Sequence, residues 1–351
     1  MVSVTESEKY QKEISGQYKK RVSKISIEEV VGLLRKFGIS NVDASLIHEA
    51  VVGNMSATYI AADYVIKIGQ DKDTHSFLAN KIVFDRFGSR LPIVNVLAYD
   101  FFEKTNYEIL IMKKAVGTLL LDDIFDLSEE SLAFLFKQLL QTIRELLNLS
   151  FKTFGKIKDE KQCFPSYSEF LKRNFLKHAQ KIKSECLCSE QDLERITKYF
   201  LNNVSVFDSE KAVFVHTDLH MGNIIHTGEQ ISAIIDFDSA MTAAPVRVLP
   251  SIIGFIDNPG QFVEGTKDYQ KYKGKNFRFL LPVLKKELSF LFNDQVVKKL
   301  NLVGIGEAMM WVSENWSTDW NREMIKNIVE NELADSDEKL RHTYYGKILG
   351  I

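Results

Sequence analysis

The stretch that most limits what this chain can fold into spans residues 213–240, VFVHTDLHMGNIIHTGEQISAIIDFDSA. Two short β-branched and apolar runs, 213–215 and 231–235, read as strands and bracket a polar loop. The loop carries His216, Asp218, His220 and Asn223, and the second run ends in Asp236, Phe237 and Asp238. Carboxylates and one amide at the ends of short strands form a hard oxygen donor set. That suits a divalent cation such as Mg²⁺ better than zinc, which prefers nitrogen and sulfur.

A chain of 351 residues can bury a large core, as one extended domain or as two lobes. A net charge of -2 gives no support for nucleic-acid binding, which calls for a basic excess. Cys163, Cys186 and Cys188 have no zinc spacing and suit a reducing compartment rather than a disulfide framework. The first residues mix charges with no apolar run, so no signal peptide is expected. No stretch approaches the ~18 uncharged apolar residues of a membrane span. The expectation is a cytoplasmic protein without a membrane or nucleic-acid partner, a monomer or homodimer.

In chain order, residues 1–24 read as a lysine-rich helix or a loosely held arm. Ser26 to Glu29 form a capping box that opens a helix bearing Val30, Val31, Leu33, Leu34 and Phe37, stopped by Gly38. Three short runs follow, 47–52, 57–61 and 64–68, broken at Gly53-Asn54 and Ala62-Asp63, and predict antiparallel strands with tight turns. Lys67 lies inside the third. Alternation alone makes it a solvent-facing strand residue. A helix is predicted over 74–87, stopped by Gly88. From Leu119 the pattern turns helical, with Asp126 and Glu129 capping a long amphipathic helix. Further starts fall at Ser166 and Ser189, and the tail, 331–345, reads as exposed.

His216, Asp218, Leu219 and Asn223, followed by Ile235, Asp236, Phe237 and Asp238, resemble two motifs of the aminoglycoside phosphotransferase and choline kinase group. These are the catalytic loop His-x-Asp-Leu-x-x-x-Asn and the metal motif Ile-Asp-(Phe/Trp)-(Asp/Glu). The resemblance implies an α+β, protein-kinase-like two-lobed fold. Residues 1–112 would form a small lobe with an antiparallel sheet, 113–117 a hinge, and 118–351 a large helical lobe. It also implies site roles. Asp218 would orient or deprotonate the acceptor hydroxyl, and His216 would brace its loop. Asn223, Asp236 and Asp238 would hold or support Mg²⁺. Gly53 and Ser56 would cover the nucleotide phosphates, and Lys67 would pair with the α- and β-phosphates. Met112 and Lys114 would meet the base, a backbone role that leaves ATP and GTP both open.

Two departures stand out. The family's lysine-pairing glutamate falls on Asn80, or in a slipped register on Asp85, and an amide can orient an ammonium through its carbonyl oxygen but cannot neutralise it. The Gly-Asp-Pro-x-x-Asp-Leu segment after the metal motif becomes Ala243-Ala244-Pro245-Val246-Arg247-Val248-Leu249, with Val248 at the bracing Asp. Arg247 could pair with a loop carboxylate or lie at the surface.

The function implied is transfer of a γ-phosphate to a hydroxylated small molecule, most readily an aminoglycoside-like antibiotic. Choline, ethanolamine, a sugar or a macrolide stay open as acceptors. Acidic residues Asp257, Glu264, Glu314 and Asp319 favour a cationic one, and Trp311, Trp316 and Trp320 offer either a pocket floor or helix packing. Competing readings are a kinase-like nucleotide-binding protein with degraded catalysis, and an enzyme moving an adenylyl group.

Overall fold

Ser26 opens the first helix, α1 (Ile27–Lys36), through reciprocal hydrogen bonds with Glu29: Ser26 Oγ accepts the Glu29 N–H at 3.2 Å and Glu29 Oε2 accepts the Ser26 N–H at 2.9 Å. Acidic Glu28 and Glu29 in the first turn and basic Arg35 and Lys36 in the last complement the helix dipole. Gly38 takes φ +79°, and the chain turns back with the Ile39 N–H on the Leu34 carbonyl. Val30, Leu33 and Leu34 recur at helical spacing and are buried. Leu34 is fully enclosed, so Leu34→Ala would cost about 2–5 kcal/mol.

The computed structural model describes residues 25–40, 42–50, 56–69, 77–102, 107–157, 163–263, 266, 268–314 and 318–350. They fall into two units. The first comprises Met1–Thr142, Asp218–Ala240 and Asn258–Asn276, the second Ile143–Thr217, Met241–Asp257 and Phe277–Ile351.

The first unit is built on an antiparallel five-stranded sheet of β1 (Ile47–Glu49), β2 (Ser56–Ala61), β3 (Tyr64–Gly69), β4 (Val96–Phe102) and β5 (Tyr107–Lys113), ordered β1-β2-β3-β5-β4. Ala61 pairs with Tyr64 across a turn in which Ala62 has φ +52°. Period-two alternation sorts the side chains. Ile66, Ile68, Ile109 and Ile111 pack on the α1 side with Val30, Leu33 and Leu34. Val65, Leu110 and Met112 point the other way, into a cluster with Phe77, Val94, Val96, Phe84 and Ile235. Lys67 sits on this second face, two residues from Val65. Alternation therefore turns it away from α1 and toward α2 (Leu78–Phe87), whose Ala79, Asn80, Val83 and Phe87 are buried. Phe77, the residue before α2, has no side-chain cap. Its N–H donates at 2.9 Å to Glu108 Oε2 on β5, and Tyr99 holds the other oxygen at 2.7 Å.

A second, three-stranded sheet joins Thr118–Leu119, Ile224–His226 and Ile231–Ile234. Its strand Ile231–Ile234 is also held by sequence-distant parts of the same unit: the Ile234 N–H donates to the Pro92 carbonyl at 2.7 Å, and Gln138 Oε1, on the helix Glu129–Leu146, accepts the Ile231 N–H at 3.1 Å. Gly117 leads into this sheet at φ +119°, and a Cβ there would lie 2.1 Å from the His226 carbonyl oxygen. Only glycine fits.

In the second unit a small sheet pairs Met241–Ala243 with Gly155–Lys156 and Val213–Val215. Its helices include Tyr167–Ser184, Glu190–Asn203, Leu249–Asp257 and Val296–Ser313. Ser166 and Ser189 cap their helices as the sequence predicts, through the Glu169 and Asp192 N–H groups. The helix Glu129–Leu146 begins in the first unit, and its cap is Ser128 rather than Asp126: Ser128 Oγ accepts the Ser131 N–H at 3.1 Å. The tail 331–345 is mostly exposed, as its charge implied, but it is pinned near its end. Thr343 Oγ1 accepts the Gly346 N–H at 3.3 Å, and Thr343, Tyr345, Ile348 and Leu349 are buried. Among the described residues no helix is long and apolar enough to cross a membrane.

Candidate active site

Lys67 is the centre of the site. Its Nζ donates to Asp236 Oδ1 at 2.8 Å and, by a shorter bond, to Asp238 Oδ2, and it lies over the Phe77 ring at 5.5 Å. The strand face set by alternation therefore turns the lysine inward, toward two carboxylates that follow it by 169 and 171 residues. Burial works against the ammonium, but Asp236 and Asp238 outweigh it and raise its pKa above the ordinary lysine value. Burial lifts the Asp238 carboxyl to about 7, against the pull of Lys67.

Asp236 takes a left-handed backbone, φ +65°, where the strand Ile231–Ile234 gives way to a single 3₁₀ turn. Among L-residues, Asp and Asn tolerate that region best. The two acids of the motif separate by environment: the Asp236 side chain is 42% exposed and that of Asp238 is 10% exposed. Asn80 meets the turn from α2. Its Nδ2 donates to Asp238 Oδ1 at 2.9 Å and its Oδ1 accepts the Phe237 N–H at 3.3 Å. Asp85, the slipped-register alternative, instead pairs with Lys81 one turn away on the same helix.

The loop after Val213–Val215 brings Asp218, His220 and Asn223 together. Asn223 Nδ2 donates to the Asp218 carbonyl at 2.8 Å, and the Ile235 N–H donates to the Asn223 carbonyl at 3.0 Å, tying loop to metal motif. His220 Nδ1 accepts the Gly222 N–H at 3.1 Å, and its ring centroid is 4.9 Å from that of Phe262. Its Nε2 stands 3.8 Å from Asp218 Oδ1. Burial lowers the His220 pKa, partly offset by Asp218 and Asp236. The Asp218 side chain is 52% exposed. His216 is buried at the end of Val213–Val215, in the second unit.

The other sequence-nominated residues are dispersed. Gly53, and with it most of the turn 53–56, lies outside the described residues, as does Trp316. Ser56 is buried at the start of β2 with its Oγ 3.3 Å from Thr58 Oγ1. Met112 is buried in β5. Lys114 is exposed, and its N–H is engaged by the Asp63 carbonyl at 2.7 Å. The next N–H, that of Ala115, has no hydrogen bond among the described residues. In the second unit Arg247 pairs with Glu307, and Val248 is buried. Trp311 and Trp320 lie with ring centroids 6.5 Å apart.

Among the described residues no group of three or more His, Cys, Asp and Glu side chains could hold a metal ion by itself. The site nonetheless fits Mg²⁺. Asn223 Oδ1 accepts no hydrogen bond among the described residues, which leaves a hard amide oxygen in the loop tied to the Asp236 strand end. One or two protein oxygens are what Mg²⁺ takes when phosphate and water complete its octahedron.

The family model described as the phosphotransferase enzyme family matches residues 63–247. The chain belongs to that family and is a small-molecule phosphotransferase with the two-lobed, protein-kinase-like fold. No curated protein sequence matches it. Among solved structures, the streptomycin–ATP ternary complex of aminoglycoside phosphotransferase APH(2'')-IIa is similar with TM-score 0.61 at 15% identity, covering 93% of this chain and 99% of that one. A thermostable variant of aminoglycoside phosphotransferase APH(4)-Ia, in ternary complex with ADP and hygromycin B, is similar with TM-score 0.58 at 16% identity, covering 87% and 98%. The gentamicin complex of APH(2'')-IIa is similar with TM-score 0.59 at 16% identity, covering 91% and 99%. At such identities the likeness is one of fold.

Proposed function

We propose that the chain moves the γ-phosphoryl group of ATP, carried with Mg²⁺, to a hydroxyl of a small molecule of the aminoglycoside type. The observation that carries this reading is the joining of Lys67, Asp236 and Asp238 into one cluster, tied through Ile235 and Asn223 to the loop that bears a half-exposed Asp218. The similar structures hold ATP, ADP, streptomycin, gentamicin and hygromycin B, which supports the nucleotide and the acceptor class.

Lys67 exchanges its carboxylates for the α- and β-phosphates when nucleotide arrives. Its raised pKa keeps it cationic for that task. Asp236, the more exposed acid, and Asn223 Oδ1 are the residues that would hold Mg²⁺, while Asp238 keeps Lys67 in place. Bound there, the ion would neutralise phosphate charge. Asp218 accepts the hydroxyl proton or orients the hydroxyl for attack, and Asn223 fixes the Asp218 backbone. Buried His216 anchors the strand that delivers Asp218. Gly53 and Ser56 cover the phosphates. Within the hinge, residues 113–117 between a small lobe, 1–112, and a large lobe, 118–351, the Ala115 N–H receives the base, with Met112 packed beneath it. GTP can use the same backbone groups. A cytoplasmic setting suits the thiols Cys163, Cys186 and Cys188.

The test is Mg²⁺-dependent consumption of ATP or GTP by purified protein against aminoglycosides, macrolides, choline, ethanolamine and sugars, with mass spectrometry of each mixture. One phosphate added to one acceptor is the expected result, and Asp218→Ala should lower kcat by about 10²–10⁴-fold while leaving nucleotide affinity nearly unchanged. Release of AMP or pyrophosphate, or full turnover by Asp218→Ala, overturns the reading.

A further inference from the structure

Asn80 is a carboxamide with 1% exposure, on a helix face that otherwise buries Ala79, Val83 and Phe87. A polar group so placed is costly unless both its ends are bonded. Here they are, and neither bond goes to Lys67. Nδ2 donates to Asp238 Oδ1 at 2.9 Å, and Oδ1 accepts the N–H of Phe237, the residue between the two acids. Asp238 is thereby used on both oxygens, Oδ1 by Asn80 and Oδ2 by Lys67. The second bond holds the backbone immediately after the left-handed Asp236.

We propose that Asn80 is a positioning residue that acts through Asp238 and the Phe237 backbone. It turns the Asp238 carboxylate toward Lys67, so that the lysine's counter-ion comes from the 236–238 turn rather than from α2. It also fixes the orientation of Asp236. An uncharged side chain is required at this place, because a carboxylate would meet Asp238 Oδ1 at hydrogen-bonding distance in a buried site, where like charges repel. The opposite expectation follows if Asn80 is only a weakened acidic partner of Lys67. Restoring the acid would then help.

Four variants separate the two: N80A, N80D, D238N and the exchange N80D/D238N, which faces one amide with one carboxylate again. Melting temperature without ligand should fall further in N80D than in N80A and recover in N80D/D238N relative to N80D. The consequence for nucleotide rests on the proposed function. Calorimetric affinity for Mg·ATP should weaken roughly tenfold in N80A, with kcat at saturation less affected. In a Lys67→Met background the same N80A change should have little further effect on affinity, a non-additivity that a purely structural loss would not produce. The inference is overturned if N80D matches or exceeds the wild type in stability, or if the losses of N80D and D238N simply add. Wild-type protein that binds no nucleotide would overturn the proposed function, and the ligand-free melting series would still decide the role of Asn80.

Discussion

Lys67 Nζ lies 2.8 Å from Asp236 Oδ1, although 169 residues separate the two. The bond joins the small sheet to the end of a strand that belongs, in sequence, to the second half of the chain. With Asp238 as a second acceptor, one ammonium faces two carboxylates. On the proposed function, nucleotide phosphates would compete for that ammonium and a divalent cation for Asp236. Ligand binding would then exchange the pair for two new contacts.

Lys67→Met should raise the KM for nucleotide and lower kcat/KM by roughly 10²-fold, the scale of losing one charged donor in a preorganised site. It also leaves Asp238, buried and without its cation, to be accommodated uncharged. Steady-state kinetics over nucleotide concentration would show it. Unchanged nucleotide KM would remove Lys67 from the phosphate site.

Asp236→Ala should differ in kind from Asp218→Ala. It removes the carboxylate proposed to face the metal, so Mg·ATP affinity should fall by at least about tenfold. The dependence of binding on Mg²⁺ concentration should flatten. Calorimetric titration of ATP at several Mg²⁺ concentrations measures both. Retained metal dependence in the variant would assign the ion elsewhere.

Gly117→Ala should destabilise the protein by about 2 kcal/mol or more, because φ +119° is strained for an L-residue and the new Cβ would strike the His226 carbonyl. The sheet of Thr118–Leu119 with Ile224–His226 would have to shift to make room. Urea unfolding compares the variant with the wild type, and equal midpoints would contradict the geometry.

His178 supplies a pH signature in the second unit. Ser313 donates its hydroxyl to the Met310 carbonyl, so His178 Nδ1, 2.7 Å from Ser313 Oγ, carries the donated proton. Burial, with help from Lys177, lowers the His178 pKa against the opposing influence of Glu314. The folded protein therefore takes up the second ring proton, at Nε2, less readily than the unfolded chain. The stability that follows is intact above the unfolded value of about 6.5 and is lost as pH falls through it toward the lowered folded value. His178→Gln should lose less stability than the wild type between pH 7.5 and 5.5, measured by denaturant unfolding at each pH.

The legible parts were those written in short spans. The Ser26–Glu29 capping box, the Ser166 and Ser189 starts, and the β2–β3 hairpin each depend on residues a few positions apart, and each forms as read. The cap of the long helix shifted by two residues, from Asp126 to Ser128, because neighbouring polar residues can serve the same N–H groups. Asn80 shows what was not legible. Its position on α2 could be counted from flanking apolar residues, but its partners lie 157 and 158 residues away and leave no local trace. Likewise the engagement of the Lys114 N–H by the Asp63 carbonyl, which leaves the Ala115 N–H without a hydrogen bond among the described residues, is a backbone matter to which side-chain identity is blind.

By itself the sequence determined the family, the order of the elements, and the loop and strand ends that bear Asp218, Asn223, Asp236 and Asp238, since spacing and periodicity are properties of neighbouring residues. Only the tertiary structure decided the counter-ions of Lys67. A buried ammonium must be paired, and which carboxylate reaches it depends on how a strand, a helix and a turn from distant parts of the chain pack on one sheet face. That packing gave the lysine to Asp236 and Asp238 and left Asn80 to hold the turn that carries them.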